Sequence, residues 1–549
     1  MLLDGIQVPA WQHRMVEIIQ MSDYADIRLV VRSVTPAKDS KPVPPQAYPA
    51  STSSNGLRRR VLKRIERILI GRPSHLPDAE TLMECSSLLA DAVMVDITPL
   101  PTGSVDVAAH AMPSPAREAG IDVFIKLGAR CFQGAALDAA RFGVWSYEHG
   151  EVLADDCRVP GYMEVMQSVP IVESTLRISS NAPFRSQVLS RTYSTTNVMS
   201  LKGNAHNIYW KILHLVPRQL KELHTAGEEK FFAGLDNRNR HPEFRDGPRV
   251  PSPSNAELGV FLIRKFAQKV SRKVSDLFYF DQWFLLFDIQ QEMSTSLGRF
   301  KFLAPPKDRK WADPFVVARD GKYFIFIEEL IHGSQKGHIS VIVMDNAGHV
   351  EPPISVLATP FHLSYPFIFE FENETYMIPE SVADEAVKLY KCTAFPLKWE
   401  FQKNLIQNRR AIDSTLIERD GVWWLFTNQI ETLGASPWDE LFLYYSDSPL
   451  SDNWIAHPNN PIVSDARSAR PAGRLFVHNN RLYRPSQNCS GHYGYGFNIC
   501  EVVKLSKTEY EETVVSRVEP KWNKHIVSTH TFNYEGGLTV IDGQLRRRK

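Results

Sequence analysis

The chain has 549 residues, 43% of them hydrophobic and 23% charged, and its 63 basic against 62 acidic side chains leave a formal charge of +1. That length supports two or three domains with substantial cores, and the near balance of charge argues against a general nucleic-acid binder. Six scattered cysteines (Cys85, Cys131, Cys157, Cys392, Cys489, Cys500) form no CxxC and no Cys/His cluster. They indicate neither a disulfide framework nor a structural zinc site, and reduced cytosolic thiols are the simplest reading.

At the N-terminus, MLLDGIQVPAWQHRMVEIIQ carries an acid at position 4 and no basic region leading into an apolar core, so it does not read as a signal peptide. No apolar run reaches the roughly 18 residues a transmembrane helix needs. The expectation is a cytoplasmic protein, with peripheral contact to the inner face of a membrane left open. The runs Ile27 to Val34, Leu89 to Ile97 and Ile121 to Gly128 are β-branched, with helical periodicity between or after them. Alternation of that kind predicts an open α/β sheet covered by helices. Residues 36–55 are Pro/Ser-rich and read as a loop insertion.

The segment from Gly120 to Gly150 reads as a buried strand, a loop, the short helix AALDAA and a strand ending at His149. Residues 236–256 are polar and Pro-rich, the composition of an interdomain linker. Two basic amphipathic segments, Leu57 to Ile70 and Leu258 to Phe278, fit either an anionic membrane surface or a packed helix with a solvated basic face. The strand-like run Gln282 to Ile289 then opens a β-rich region or closes its ring. The expected division is an α/β domain over 1–235, a linker and basic helix over 236–279, and an all-β five-bladed propeller over 280–549.

The propeller is read from a repeat. WADPFVVARDGKYFIFIEE, LSYPFIFEFENETYMIPES, AIDSTLIERDGVWWLFTNQ, SARPAGRLFVHNNRLYRPSQ and STHTFNYEGGLTVIDG share one plan, with anchors Pro314, Pro366, Ser414, Pro471 and Thr531 spaced by 52, 48, 57 and 60 residues. Periods near this size mark propeller blades. Asp313, Tyr365, Asp413, Arg470 and His530 head the first strand of successive blades, and Glu328, Glu380 and Asn428 recur 14 residues after their anchors, with Arg484 and Gln487 near that frame in the fourth. Innermost propeller strands surround the axis, so one polar end per blade converges on one pocket. Carboxylates paired there can divide into acid and base, because each raises the proton affinity of the other.

The other residues sharpen the chemistry. Arg470, Arg474 and Arg484 beside carboxylates fit a phosphate-bearing ligand, since guanidinium forks pair with phosphate bidentately; the alternative is that Arg470 and Arg474 staple blades through Asp465 or Asp413. Trp311, Tyr365, Trp423, Trp424, Tyr493 and Tyr495 offer rings for sugar faces, the GHYGYGF loop from Gly491 to Phe497 being the better candidate for contact. No metal cluster is evident and no cofactor is firmly implied, although a divalent ion bridging carboxylates and phosphate stays open.

Two resemblances add to this reading. From about Ile97 to Leu189, the order of elements around GIDVFIKLGARCFQGAALDAARFGVWSYEHG resembles the catalytic core of methionyl-tRNA formyltransferase and its glycinamide relatives. That resemblance implies a formyltransferase-like domain and, as one reading, one-carbon transfer from a formyl-tetrahydrofolate to an amino sugar, with His149 at the family's histidine. Tyr147 stands where the family has asparagine and Phe184 where it has aspartate. A site without those groups loses much of its rate, so a domain kept for binding or scaffolding is the other reading.

From about Arg309 to Gly543, runs such as ADPFVV, IDSTLIERDGVWWLF and HPNNPIVSDARSARPAGRLF look like the N-terminal region of plant glucosamine inositolphosphorylceramide transferase. The resemblance implies surface-glycan or glycolipid assembly, although in the plant enzymes the sugar-transfer domain is assigned to a separate C-terminal region. A more distant likeness is to five-bladed glycoside hydrolases of arabinans and fructans, which use an Asp in the first blade as base or nucleophile, an Asp in the third to tune pKa and a Glu in the fourth as acid. Asp313 and Asp413 match the first two, while the fourth blade offers RPAGR and YRPSQ, so Glu380 or Glu328 takes the acid's place.

The resulting expectation is glycosyl transfer from a phosphorylated sugar donor. Asp313 and Glu380 are acid and base, Asp413 orients, Glu328 is a further carboxylate, and the arginines sit on phosphate. Tyr365, Asn428, Gln487 and His530 contact substrate. The alternatives are formyl transfer at His149 and a non-catalytic glycan-binding propeller.

Overall fold

The computed structural model describes residues 1–33, 77–97, 120–127, 140–149, 160–179, 187–238, 254–334 and 336–549. The expected insertion 36–55, the basic segment Leu57 to Ile70, most of the segment AALDAA expected to be helical and Phe184 lie outside the described residues. The chain divides into two compact units, residues 1–261 with 432–435, and residues 262–431 with 436–549.

The first unit is built on a seven-stranded sheet in the spatial order Val93–Ile97, Leu29–Ser33, Leu2–Leu3, Phe124–Lys126, Val144–His149, Ile171–Ser179, Gln187–Thr195. The first five strands run parallel and the last two are antiparallel. Helices Ala10–Gln20, Leu201–Ile212, Leu215–Ala226 and Glu228–Arg238 contribute Met15, Val16, Ile208, Val216 and Leu235 to the core that also holds Val30 and Trp145. The α/β character expected from the β-branched runs is therefore present. The two-residue strand Leu2–Leu3, too short to show periodicity, occupies the interior of the sheet.

In the second unit the repeats close into a five-bladed propeller. Blade one comprises Arg309–Arg319, Lys322–Ile331, His338–Asp345 and Ile354–Leu357; blade two, Ser364–Phe371, Glu374–Glu380, Ala386–Ala394 and Lys398–Gln407. Blade three comprises Arg410–Arg419, Val422–Ile430, Leu441–Ser446 and Ile455–Ala456; blade four, Phe476–His478, Arg481–Asn488, Gly496–Leu505 and Tyr510–Val518. The fifth blade joins distant parts of the chain. The hairpin Phe532–Glu535 and Leu538–Arg548 pairs with Tyr279–Ile289, which in turn pairs with Lys301–Leu303. The run around QWFLLFDI thus closes the ring, in antiparallel register from Tyr279 with Arg548 to Ile289 with Leu538. Ring closure satisfies the strand edges that an open stack of blades leaves unpaired.

Blades one to three share a bulge at the start of the inner strand. Ala312 pairs with Glu328 and Phe315 with Phe326, so Asp313 and Pro314 lie against one residue of the partner strand. The same shift separates Ser364 from Phe367 and Ile412 from Thr415. The first bulged residue has positive φ each time: 50° at Asp313, 47° at Tyr365 and 53° at Asp413. Bulged positions lack a ladder hydrogen bond, which is why the next residue is proline in two of the three blades.

Blade four meets its neighbours at Gly473. Its N–H donates to Tyr365 Oη at 2.7 Å, φ is +134°, and a Cβ there would stand 2.0 Å from the carbonyl oxygen of Phe532. Gly473→Ala is expected to lower stability by roughly 2–4 kcal/mol in denaturant unfolding, while Gly298→Ala, where the added methyl meets nothing within 4 Å, changes it by less than about 0.5 kcal/mol.

Candidate functional site

The bulges turn Asp313 and Asp413 into a buried polar centre that blades four and five complete. Arg470 Nε donates to Asp413 Oδ2 at 2.6 Å, Gln487 Nε2 donates to the same oxygen at 3.0 Å, and an Arg470 nitrogen lies 3.5 Å from Glu380 Oε2. On the other side, the Thr531 hydroxyl donates to Asp313 Oδ1 at 2.8 Å, and His530 Nε2 stands 3.7 Å from that oxygen. His530 Nδ1 contacts Asp542 at 2.5 Å. Asp542 also accepts the backbone N–H groups of His530, Thr531 and Asp313 at 2.8, 3.0 and 3.3 Å. Glu328 lies 3.4 Å from His362 and keeps 17% of its side chain exposed, against 1% for Asp413.

Rings frame this centre. Trp283 stacks on His530 with centroids 4.3 Å apart, and Tyr493 meets the same imidazole edge-on at 5.3 Å. Tyr493 also lies under the Arg470 guanidinium, 4.8 Å from ring centroid to Cζ, and contacts Trp438 at 5.8 Å. The GHYGYGF loop therefore reaches the site through Tyr493. Trp311 is buried with its indole N–H on Glu329, Trp423 packs on Phe369 and Phe371, and Trp424 contacts Tyr445.

Burial separates the protonation states. Desolvation, with the charges of Asp413 and Asp542, raises Asp313 to about 6 against the lowering effects of His530 and Thr531. Glu328 is pushed up to about 8 by desolvation and by the neighbouring Asp313 and Asp413. Glu380 is raised well above the usual carboxylate range by burial and by its contact with Asp413. Arg470 and Gln487 fix Asp413 beside it. Burial alone would lower His530, but Asp542 and Asp313 outweigh it and leave the imidazole at about 9.

Of the residues the repeat singles out, Asp313, Glu328, Glu380, Asp413, Arg470, Gln487 and His530 come together. Tyr365 heads its blade as expected, but its hydroxyl is committed to Thr415 at 3.0 Å and to Gly473, so it fills the axis. Asn428 lies opposite Ile412, next to the Asp413 bulge, and both of its buried amide atoms have no partner among the described residues. Two arginines do not join the centre. Arg484 is fully buried against Glu512 at 2.6 Å and the carbonyl of Ser468, because its strand position turns it into blade four. Arg474 reaches the carbonyls of Val316 and Ile368 and the carboxylate of Glu535, linking blades one, two, four and five. Asp465 pairs with Arg467 rather than with Arg470.

The repeat marked Thr531 only as an anchor and gave no site role to Asp542 or Trp283. Asp542 is the fifth blade's counterpart of Glu328 and Glu380, but it follows its anchor by 11 residues instead of 14, because that hairpin is shorter. In the first unit, His149 is half-buried, held at about 4 by desolvation, with Nδ1 3.1 Å from the Ser174 hydroxyl. The Tyr147 hydroxyl donates to the Ile212 carbonyl at 2.9 Å and is thus a packing group. Residues 128–139, 150–159 and 180–186, which would complete a formyl-transfer site, lie outside the described residues.

Fold and site together define a five-bladed propeller with a buried cluster of carboxyl groups, an arginine and a histidine. Residues 307–534 match the family described as "Glucosamine inositolphosphorylceramide transferase 1, N-terminal". The chain is 37% identical over 245 residues to glucosamine inositolphosphorylceramide transferase 1 of Oryza sativa subsp. japonica, covering 42% of this chain and 33% of that protein. It is 34% identical over 207 residues to the transferase of the same name from Arabidopsis thaliana, covering 37% and 27%. The chain thus matches about a third of the length of these relatives. Among solved structures, the family 117 glycoside hydrolase Zg3597 of Zobellia galactanivorans aligns at 12% identity and a TM-score of 0.32, over 48% of this chain and 90% of that one, too distant to bear on chemistry.

The three raised groups predict one sign of pH dependence. Asp313 titrates near 6 instead of 3.8, Glu328 near 8 instead of 4.5 and His530 near 9 instead of 6.5, so the folded state holds the extra proton in each interval. Their contribution to stability therefore falls as pH rises, against the opposite slope that the lowered His149 gives between about 4 and 6.5. The stabilisation from His530 is complete below about 6.5 and lost through 9, on the order of 3 kcal/mol. Urea unfolding should show this decline, with the part between pH 8 and 9 absent in His530→Asn and the part below 8 reduced in Glu328→Gln.

Proposed function

We propose that the axial site binds a sugar and transfers a glycosyl group in glycolipid assembly. The observation that carries this reading is the convergence of Asp313, Glu380 and Asp413 on one buried centre, where Arg470 bonds Asp413 and stands 3.5 Å from Glu380, with burial raising the proton affinity of Glu380 and bringing Asp313 to about 6. Acids kept in different protonation states at neutral pH divide naturally into donor and base. Glu380 protonates the oxygen leaving the anomeric carbon, Asp313 takes the proton of the acceptor hydroxyl, and Asp413 maintains the proton on Glu380. Glu380 Oε2, which the Arg470 guanidinium approaches only to 3.5 Å, Asp413 Oδ1 and the Asn428 amide are buried without hydrogen-bond partners among the described residues, and sugar hydroxyls would satisfy them. Tyr493 and Trp438 supply an apolar face.

The names of the rice and Arabidopsis relatives support a hexosamine as the transferred group and an inositol-phosphate lipid as acceptor. With Arg474 and Arg484 engaged elsewhere, a phosphorylated donor has the Nη2 edge of Arg470 as its guanidinium contact, beside Tyr493 and Glu380.

The test is transfer from a nucleotide-linked hexosamine to an inositol phospholipid. Asp313→Asn and Glu380→Gln should each lower turnover at least about 100-fold while retaining the rise in melting temperature that the donor produces, and His149→Ala should retain most turnover. Full activity in both carboxylate variants with donor binding intact would make the site a recognition site only. Arg470→Lys keeps the charge but loses the planar fork, so sugar phosphates should lose more affinity than neutral oligosaccharides. Equal losses would remove the phosphate from the donor.

A further inference from the structure

We infer that the helix Asn255–Phe278 is an in-plane anchor for an anionic lipid surface, an inference independent of the glycosyl-transfer reading. Its 24 residues extend about 36 Å. Apolar residues recur along it at alternating steps of four and three, at Ile263, Ala267, Val270, Val274 and Leu277. In a globular protein such a stripe is normally covered. Here Ile263 is 70% exposed, Val274 51% and Leu277 68%, with Phe266 and Phe278 beside them at 53% and 59%. Of residues 262–278, all described, only Lys265 is buried. The helix is not long and apolar enough to cross a membrane.

Charge complementarity identifies what covers the stripe. Arg264, Lys265, Lys269, Arg272 and Lys273 are cations, and no acid stands between Glu257 and Asp276. At about 100° per residue, Arg264 and Lys273 fall on opposite borders of the apolar arc, where headgroups meet a helix lying in the interface. A second copy of the helix would bring cations toward cations, whereas an anionic leaflet supplies the missing charge together with an apolar interior. The C-terminal end is fixed for this role. Asp276 pairs with Arg546, its carbonyl accepts from Lys549 Nζ at 2.6 Å, and the Phe278 carbonyl accepts the Lys549 N–H at 3.0 Å. The helix is thus clamped to the strand that closes the propeller.

The experiment is co-sedimentation of the full chain with vesicles of phosphatidylcholine alone or mixed with phosphatidylglycerol. Binding is expected to the mixed vesicles, with little to the neutral ones, and to weaken as salt rises. Ile263→Glu or Leu277→Glu should abolish it, and Lys269→Glu with Lys273→Glu should weaken it at least about tenfold. Melting temperatures should not move, because these side chains are solvent-facing or half-buried, so loss of binding is not loss of fold. Equal binding to both vesicle types, or sedimentation with neither, overturns the proposal. So does a concentration-dependent dimer by light scattering that Ile263→Glu dissolves while vesicles bind nothing.

Discussion

The candidate site depends on one backbone irregularity made three times, the two-against-one bulge whose first residue is left-handed. A strand without it alternates strictly between faces, and its side chains are spoken for by the cores on either side of the blade. The bulge releases one residue per blade from that alternation at the axial end. It is not free: a non-glycine residue at positive φ costs on the order of 1–3 kcal/mol, and here the positions are Asp, Tyr and Asp. Each is held by contacts across the ring. Asp313 receives Thr531, Asp413 receives Arg470 and Gln487, and Tyr365 reaches Thr415 and Gly473. The strain in each inner strand is thereby offset by its neighbours, which makes the site a property of the closed ring.

Two cations organise the carboxylates differently. Arg470 joins blade four to Asp413 of blade three and stands 3.5 Å from Glu380 of blade two. A buried ion pair of this kind stabilises a fold only weakly, because desolvation consumes most of the Coulombic gain. Its consequence for chemistry is larger: it holds Asp413 beside Glu380, whose proton affinity is raised first by burial and then by that neighbour. His530 instead joins two acids of unequal surroundings. Asp542 is saturated by three backbone N–H groups, whereas Asp313 receives one hydroxyl hydrogen bond and the edge of the imidazolium. Asp313 is the less committed of the two and the better placed to exchange a proton.

The five-fold repeat and the inward-facing heads were legible because bulge, turn and strand each leave a sequence mark. Pro314 and Pro366 follow their bulged residues where no ladder hydrogen bond is lost, and DGK and DGV mark hairpins. What a side chain does once inward was less legible. Asp, Tyr, Asp, Arg and His share a frame, yet Tyr365 spans the axis to pack while Arg470 pairs. Arg484 lies near the second frame, that of Glu328, Glu380 and Asn428, but points into its own blade, a difference decided by alternation within a strand and invisible to residue type. Asp542 escaped because a shorter hairpin shifts its place in the count. In the first unit Leu29–Ser33, Val93–Ile97 and Phe124–Lys126 showed themselves through β-branched runs, whereas Leu2–Leu3 has too few residues to carry a pattern and the nine-residue strands Ile171–Ser179 and Gln187–Thr195 lie outside those runs.

Tyr365 gives the ring its asymmetry. Five converging strands leave little room at an axis, and the phenol, fully buried, crosses from blade two to blades three and four. Exposure accordingly falls from 17% at Glu328 to 9% at Glu380 and 1% at Asp413. Desolvation is the leading cause of the raised proton affinity of Glu380, so the packing that secludes this end also sets its acidity. Tyr365, whose hydroxyl bonds Thr415 and Gly473 rather than a carboxyl group, is part of that packing. Residue type alone does not report that role, because the same tyrosine at the same point in the repeat reads equally well as a ring for sugar contact.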